Sequence, residues 1–293
     1  MRVLITGRNG YIGVKTSKWL FSHDGEFEVD FLDMRSENWK QFDMKDYDSV
    51  INAVGIAHVD SDDQKLYERV NTEYAYECAK IAKACGVKQF IQISSVYVYA
   101  AKGGLKEENR VSPDMPECPG NYYGESKLKA DRLIGELEDE NFKVVIIRTP
   151  MVYGPGAKGN YNRLSKLAVK VPVFPDIKNQ RSMIFVDNLT EFIRLLLINK
   201  ESGIFYPQNA EYVNTTDMVK TIAECNNTKI KTIKVFNPLI NVLSGGRGKL
   251  STTISKLFGN YMIDKQMSEY KENYNVVDFY TSIKLTEQGK GIL

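Results

Sequence analysis

Short apolar, β-branched segments alternate along the chain with longer stretches whose apolar residues recur at helical spacing. The pattern predicts strands at residues 3–6, 28–33, 49–54, 88–94 and 143–149, and helices at 11–22, 64–84 and 122–138. Strands that alternate with helices are typical of a parallel sheet covered on both faces. The predicted fold class is therefore α/β, with a doubly wound parallel sheet.

After Pro150 glycine and proline become frequent in the sequence, and the segments between them become shorter. Frequent glycine and proline residues are expected where a chain leaves one sheet to build a second lobe. We expect a first domain over residues 1–155 and a smaller C-terminal α/β lobe over 156–183 and 201–293. Residues 184–200 have helical periodicity and are expected to return to the first domain. The apolar run 232–243, broken by Pro238, is interpreted as core, with contact to a membrane surface or to a subunit as the alternative.

Composition narrows the class of protein. The 293 residues are 43% hydrophobic, enough for a sizeable core, and the 39 basic residues nearly balance the 37 acidic ones. Without a basic stripe, nucleic acid is a poor candidate partner. No stretch is apolar for long enough to predict an integral membrane segment. The four cysteines show neither disulfide nor metal-ligand spacing, which favours a reducing cytoplasm and predicts no metal site.

A glycine-rich turn lies between the first predicted strand and the first predicted helix. Glycines at this place let the backbone turn tightly and approach a pyrophosphate at the helix N-terminus. This context favours a Rossmann-type dinucleotide site, although an arginine stands where the commoner fingerprint has its second glycine. The residues of the turn are Thr6, Gly7, Arg8, Asn9, Gly10, Tyr11, Ile12 and Gly13.

Two charged residues at the end of the second predicted strand bear on the choice of cofactor. Asp33 is placed to accept hydrogen bonds from the adenosine ribose hydroxyls, which favours NAD. Arg35 would instead pair with a 2′-phosphate, so NADP stays an alternative.

Tyr123 and Lys127 lie four residues apart at the start of a predicted helix. This spacing puts both side chains on one helix face, where the ammonium group would lower the pKa of the phenol. Ser94 and Ser95 close an apolar strand at the carboxyl edge of the sheet, where ligands of open α/β sheets bind. The combination predicts proton transfer by Tyr123 at a hydroxyl or carbonyl carbon, together with hydride transfer to or from a nicotinamide.

These motifs resemble the extended short-chain dehydrogenases and, within them, the NAD-dependent epimerase/dehydratase group. The resemblance covers essentially the whole chain. It is carried by the glycine turn, Asn52-Ala53-Val54-Gly55, Ser94-Ser95-Val96-Tyr97-Val98-Tyr99, Tyr123-Gly124-Glu125-Ser126-Lys127, and Arg148 with Tyr153-Gly154-Pro155-Gly156.

The resemblance implies roles for particular residues. Ser95, with Ser94 as the alternative, would hydrogen-bond the reacting oxygen, Tyr123 would exchange the proton, and Lys127 would also hold the nicotinamide ribose. The implied cofactor-binding residues besides the glycine turn, Asp33, Arg35 and Lys127 are Asp43, Met44, Ala53, Val54, Gly55 and Asn71.

The resemblance also implies a substrate site. Arg181 matches a family arginine that pairs with the diphosphate of a nucleotide-sugar, and Arg247 is a second candidate. Many sugar epimerases have an asparagine where this chain has Met151, so one expected diphosphate contact is missing. Asn160 would supply a contact from a different direction.

The implied function is an NAD-dependent epimerase or 4-ketoreductase acting at C4 of a UDP-hexose or UDP-N-acetylhexosamine in surface-polysaccharide synthesis, working as a cytoplasmic homodimer. A dehydratase is disfavoured because Val96 and Tyr97 offer no acidic pair. Two alternatives stay open: a non-catalytic dinucleotide sensor, and a reductase of a small ketone that is not nucleotide-linked. The sensor would not need a lysine beside its tyrosine, and the small-ketone reductase would leave Arg181 without a diphosphate.

Overall fold

The computed structural model describes residues 1–23, 25–57, 63–100, 105, 107–246 and 248–289. Its strands, in chain order, are β1 (Arg2–Thr6), β2 (Glu28–Leu32), β3 (Ser49–Asn52), β4 (Gln89–Ser95), β5 (Arg110–Val111), β6 (Lys143–Thr149), β7 (Met151–Tyr153), β8 (Val173–Pro175), β9 (Met183–Phe185), β10 (Gly203–Phe205), β11 (Lys231–Ile233) and β12 (Met262–Ile263).

The α-helices lie between these strands and after them. One π-helical turn, Glu68–Glu73, interrupts what the sequence predicts as a single helix over 64–84. The helices, in chain order, are α1 (Tyr11–Phe21), α2 (Gln64–Tyr67), α3 (Tyr74–Ala84), α4 (Tyr122–Gly135), α5 (Asn160–Lys170), α6 (Val186–Ile198), α7 (Thr215–Cys225), α8 (Asn237–Ser244), α9 (Lys249–Phe258) and α10 (Phe279–Glu287).

The strand order of the central sheet is β2-β1-β3-β4-β6-β10, and every pairing within it is parallel. The chain passes from β1 to β2 on one side and then crosses to β3 on the other, so the winding reverses between β1 and β3. The carboxyl ends of strands at such a reversal form the crevice in which open α/β sheets bind ligands. The predicted doubly wound, Rossmann-type α/β fold is confirmed.

Strand side chains alternate between two buried clusters, one on each face of the sheet. Leu4 belongs to the cluster that contains Ala130 of α4, whereas its neighbours Val3 and Ile5 belong to the cluster that contains Phe192 of α6. Because successive strand residues point to opposite faces, a strand buried on both faces is apolar throughout. The helices α3 and α4 thus cover one face, and α1 and α6 cover the other.

The described chain returns to the central sheet twice after Pro150. The indole Nε1 of Trp19 in α1 donates to Glu191 Oε2 of α6 at 2.8 Å, which ties α6 to the sheet helices. β10 then pairs with β6, with Ile204 opposite Ile146. The sequence-based assignment of 201–293 to the smaller lobe is therefore wrong for β10, because a three-residue edge strand is too short to show a period. The rest of the division into two lobes stays a prediction.

Candidate active site

The turn after β1 packs closely against the loop after β3. Gly7 has φ +83°, in the left-handed region that favours glycine, and a β-carbon there would lie 3.1 Å from Val54 Cγ2 and 3.3 Å from the carbonyl carbon of Ala53. Gly10 N donates to Gly7 O at 2.7 Å, and Gly10 caps α1 without a side-chain hydrogen bond. The N–H groups of the first turn of α1 are thus available to a diphosphate at the crevice.

The other predicted residues of the turn divide between the surface and the packing beneath it. Asn9 is exposed at the tip, and Ile12 packs on the sheet cluster. A β-carbon on Gly13 would lie 3.3 Å from Gly7 O, so this glycine permits α1 to approach the turn. The Tyr11 side chain is partly buried, and burial together with the nearby Asp187 raises the pKa of its phenol. Through Ile12 and Gly13 the turn is thus packed against the sheet and α1.

Asp33 and Arg35 lie together just beyond the carboxyl end of β2. Arg35 Nε donates to Asp33 Oδ1 at 2.9 Å and to Oδ2 at 3.1 Å, and its Nη2 also contacts Oδ2. This pairing lowers the pKa of Asp33 to about 2, so the carboxylate is charged at neutral pH. The two residues predicted to contact the adenosine ribose or its 2′-phosphate therefore lie on the same side of the crevice. The guanidinium group of Arg35 is paired with the carboxylate of Asp33.

The predicted adenine contacts Asp43 and Met44 occupy different environments. Asp43 is exposed and pairs with Lys45 Nζ at 3.2 Å. Met44 is fully buried in the core cluster that also contains Trp39. The Met44 side chain is therefore a core side chain, and only its backbone stays a candidate for cofactor contact.

The start of α4 is built so that Tyr123 and Lys127 point into the crevice. Asn121 caps the helix by accepting from Gly124 N at 2.9 Å. A β-carbon on Gly124 would overlap the carbonyl oxygen of Tyr97, so α4 lies directly against the chain that follows β4. This close approach brings the Tyr123 side chain next to Ser95.

Tyr123 is partly buried, and the Ser95 hydroxyl lies near its phenol. Burial raises the pKa of Tyr123 to about 12, and the neighbouring Ser95 hydroxyl offsets this only in part. The expected lowering of the phenol pKa by Lys127 is not what the structure shows, because desolvation of the buried ring dominates. The buried Ser94 hydroxyl faces Asp131 instead, which favours Ser95 as the partner of Tyr123.

Lys127 is only 4% exposed, and its Nζ donates to Ile93 O at 2.9 Å. Burial lowers the pKa of this ammonium group to about 8. A β-carbon on Gly55 would lie 3.0 Å from Lys127 Nζ, so the loop after β3 borders the lysine directly. The predicted catalytic lysine and the predicted cofactor loop are thus in one place.

Asn71 links the loop after β3 to α4. Its Oδ1 accepts from Ile56 N at 2.8 Å, and its Nδ2 donates to Ile56 O at 3.1 Å and to Ser126 Oγ at 3.1 Å. Asn71 lies in the π-helical turn Glu68–Glu73, a feature that is frequent at functional sites. The widened turn places this amide where it positions both the loop and the catalytic helix.

A buried charge network that the sequence analysis missed lies behind Lys127. Arg148 Nε donates to Asp131 Oδ2 at 3.0 Å, and Arg148 Nη1 donates to the hydroxyls of Tyr99 at 3.0 Å and Tyr206 at 2.9 Å. Asp131 follows Lys127 by one helical turn and contributes an attractive charge to it. The i, i+4 spacing of Tyr123, Lys127 and Asp131 was the signal that would have revealed it.

Aromatic residues connect Tyr123 to Arg181. The Tyr97 ring meets the Tyr123 ring edge-on at 6.1 Å between centroids and stacks on Tyr261 at 5.9 Å. Arg181 is partly buried next to Tyr97 and Tyr261, and its Nη1 donates to Gly259 O at 2.9 Å. Tyr97 lies within a motif of the sequence analysis, whereas no local pattern singles out Tyr261.

Asn160 and Arg247 are the other residues that the sequence predicts in the substrate site. Asn160 begins α5 and is partly buried, and its contact with substrate stays a prediction. Arg247 lies outside the described residues.

The geometry defines a class of protein. A glycine turn at the winding reversal of a doubly wound sheet, with a serine at the carboxyl end of β4 and a tyrosine and a lysine on the neighbouring α4, defines an NAD(P)-dependent enzyme of the extended short-chain dehydrogenase type.

Comparison with known proteins identifies the family. Residues 3–206 match the NAD dependent epimerase/dehydratase family. The chain is 29% identical to a UDP-glucose 4-epimerase of Vibrio cholerae over 75% of this chain and 74% of the relative. It is 26% identical to the N-acetyl-α-D-glucosaminyl-diphospho-ditrans,octacis-undecaprenol 4-epimerase of Escherichia coli O157:H7 over 81% and 76%. The chain belongs to the NAD dependent epimerase/dehydratase family.

A solved structure agrees with this assignment at the level of the fold. The UDP-glucuronic acid 4-epimerase of Bacillus cereus, in complex with NAD, superposes with a TM-score of 0.74. The two chains are 17% identical, and the match covers 99% of this chain and 98% of that one. The shared fold therefore extends beyond the central sheet to nearly the whole chain.

Proposed function

We propose that this enzyme is an NAD-dependent nucleotide-sugar 4-epimerase, acting at C4 of the hexose of a UDP-sugar. The observation that carries the proposal is the proximity of the Ser95 hydroxyl to the partly buried phenol of Tyr123, with Lys127 on the same face of α4. In this role Ser95 hydrogen-bonds the C4 oxygen, and Tyr123 gives or takes the proton of that oxygen. Lys127 binds the nicotinamide ribose and supplies positive charge next to the phenol.

The described residues fit a dinucleotide along the carboxyl edge of β1, β2 and β3. The turn Gly7 to Gly13 and the uncapped start of α1 would hold the diphosphate, and the charged Asp33 would accept from the adenosine ribose. The bound cofactor supplies the hydride acceptor and donor. Asp33 favours NAD over NADP because its carboxylate would repel a 2′-phosphate, and Arg35 is held by that same carboxylate.

Protonation of the two catalytic side chains suits chemistry at the sugar oxygen. With a pKa of about 12, Tyr123 holds its proton at neutral pH and is in the form that can donate it to an oxygen that becomes negatively charged. With a pKa of about 8, Lys127 is mostly charged at neutral pH. That charge favours the phenolate form of Tyr123 when the proton must be taken from the C4 hydroxyl.

Arg181 supports a substrate that carries a diphosphate. Within the described part of the chain, no carboxylate pairs with its guanidinium group, whose recorded hydrogen bond goes to the backbone at Gly259. A partly buried charge without a counter-ion is costly, so its position favours an anionic ligand. Tyr97 and Tyr261 connect it to Tyr123, which suits a ligand whose phosphates and reacting sugar reach both residues.

An epimerase and a ketoreductase share the first transfer and differ in the fate of the cofactor. An epimerase keeps its NAD between the two half-reactions, whereas a reductase exchanges it in every turnover. We favour the epimerase because the two curated relatives described above are both 4-epimerases. The test is to purify the protein without added cofactor and measure bound nicotinamide. Near-stoichiometric NAD supports the epimerase, and an empty enzyme that consumes added dinucleotide supports the reductase.

The sugar is tested separately from the cofactor. UDP-glucose and UDP-N-acetylglucosamine are incubated with the purified enzyme, and the configuration at C4 is read by NMR. The Escherichia coli relative acts on a lipid-linked diphospho-sugar, so a diphospho-polyprenol N-acetylglucosamine forms the third arm. Turnover of either UDP-sugar supports the proposal, and turnover of the lipid-linked sugar alone contradicts the UDP assignment.

A further inference from the structure

The segment from β11 to α8 exposes apolar side chains that the sequence analysis placed in the core. Val235 is 72% exposed, Leu239 59% and Val242 74%, and Phe236, which precedes α8, is 44% exposed. Leu239 and Val242 lie three residues apart on one face of α8, and Val235 lies with Phe236 in the turn that precedes the helix. The expectation that 232–243 is core is therefore wrong for this face, which we call the α8 apolar face.

The opposite side of α8 holds it firmly to the lobe. Ile240 and Leu243 pack against the core cluster of the smaller lobe, and Asn237 Nδ2 donates to Asp176 O at 2.8 Å. A helix at a protein surface ordinarily has a polar outer side, but the α8 sequence contains no charged residue. Its apolar outer face is thus presented in a fixed orientation.

The charges along the segment that carries the α8 apolar face all have the same sign. From residue 225 to residue 263 the chain contains no aspartate or glutamate, whereas the whole chain is nearly neutral. The basic residues of this stretch are Lys229, Lys231, Lys234, Arg247, Lys249 and Lys256, and of these Lys229, Lys231, Lys234 and Lys256 are exposed in the structure. An apolar face whose own segment carries only positive charge complements a surface that is apolar within and anionic outside.

We propose that the α8 apolar face docks on an anionic lipid bilayer. Val235, Phe236, Leu239 and Val242 enter the boundary between headgroups and acyl chains, while Lys231 and Lys234 pair with anionic headgroups. Within the described ranges, none of the helices could span a bilayer. The inference is independent of the proposed reaction, because none of these residues belongs to the candidate active site.

A second copy of the chain is a poorer occupant of this face. In a symmetric dimer the same patch meets itself, so Lys231 and Lys234 would lie near their counterparts. Like charges brought together across an interface cost free energy, and no acidic residue of this stretch would relieve them. Positive charge around an apolar face therefore favours the lipid surface.

Sedimentation with vesicles tests the proposal on the intact protein. We expect binding to phosphatidylcholine vesicles that contain about one third phosphatidylglycerol, weak binding to pure phosphatidylcholine, and loss of binding as salt is raised. Lys231→Gln/Lys234→Gln should lower the partition coefficient about 30-fold. Leu239→Ser/Val242→Ser should lower it at least about 10-fold.

Matched controls remove similar groups elsewhere. Lys18→Gln/Lys88→Gln removes two exposed lysines, and Phe21→Ser/Ile198→Ser removes two exposed apolar side chains, all outside the α8 apolar face. These variants should bind vesicles as the wild type does, and all four should keep wild-type sugar turnover and circular dichroism. Equal binding to neutral and anionic vesicles, or wild-type binding by the α8 variants, overturns the proposal. Absence of vesicle binding by the wild type also overturns the proposal. This includes the case in which the wild type is an oligomer by light scattering and Leu239→Ser/Val242→Ser breaks that oligomer.

Discussion

The carbonyl oxygen of Tyr97 occupies the space that a β-carbon on Gly124 would need. The chain after β4 and the first turn of α4 are thus in direct backbone contact. This contact sets the distance between Ser95 at the end of β4 and Tyr123 at the start of α4. The glycine is required by packing, since its helical conformation is open to other residues.

Gly124→Ala tests this contact. The added methyl must push α4 away from Tyr97, which should cost about 1 to 3 kcal/mol in the free energy of unfolding. A shift of about 1 Å at Tyr123 should also lower turnover about 100-fold. The control is Gly135→Ala at the other end of α4, where the nearest atom to the new β-carbon is Ile146 Cδ1 at 4.0 Å. If both variants unfold at the same urea concentration and keep activity, the contact does not position Tyr123.

Tyr123→Phe should keep the dinucleotide but lower sugar turnover at least about 100-fold, the usual contribution of a positioned acid or base. Turnover is measured by steady-state kinetics, and cofactor binding by fluorescence titration. Tyr122→Phe is the matched control, because Tyr122 is its exposed neighbour in the same turn of α4. Turnover of Tyr123→Phe within a few-fold of wild type would remove Tyr123 from the reaction.

Lys127 should make stability depend on alkaline pH. Burial lowers the pKa of Lys127 to about 8 from 10.5. Between these values the unfolded chain holds the proton and the native state does not, so the stability of the native state rises with pH. The penalty for burying the charge is present in full below the folded pKa.

Lys127→Met removes that titration. Relative to this variant, the free energy of unfolding of the wild type should rise by about 3 kcal/mol across the interval. Urea unfolding of both proteins below pH 8 and near pH 10.5 measures the difference. A constant difference between the two proteins would mean that Lys127 is not desolvated in the native state.

Arg181→Ala should weaken binding of UDP about 10- to 150-fold while leaving NAD affinity unchanged, as expected for the loss of a charge-assisted hydrogen bond. Because such a contact acts equally in the ground and transition states, the kinetic effect should be in KM. Isothermal titration with UDP isolates it. Arg163→Ala, on the exposed side of α5, is the control. Equal affinity of wild type and Arg181→Ala for UDP would remove the main support for a nucleotide-linked substrate.

Asp33→Ala should weaken NAD far more than NADP, because the carboxylate accepts from the free 2′-hydroxyl and also holds Arg35. The variant frees Arg35 to pair with a 2′-phosphate, so NADP affinity should rise. Arg35→Ala in the same background should cancel that rise. If the wild type already binds NADP more tightly than NAD, Arg35 binds the 2′-phosphate and the assignment of NAD as the cofactor is wrong.

The sequence was sufficient for the fold class and for the local motifs. Short runs of apolar, β-branched residues identified the strands, and apolar residues about four apart identified the helices, because a strand buried on both faces is apolar throughout and a helix buries one face. The spacing of Tyr123 and Lys127 placed both on one helix face. The glycine turn could be recognised in the sequence because close backbone approach demands glycine. Family resemblance added Asn71 and Arg181, whose local sequences carry no physical signal of their own.

The tertiary structure decided what depends on contacts between distant segments. Only packing shows that Tyr123 is desolvated and that its pKa rises rather than falls, since burial is a property of the assembled site. The network of Asp131 and Arg148, the stacking of Tyr97 on Tyr261, and the return of β10 to the sheet all join residues far apart in the chain. The exposure of Leu239 and Val242 belongs to the same group. An apolar run in the sequence indicates that its residues avoid water. Whether protein or another surface covers them depends on which other segments of the folded chain pack against them.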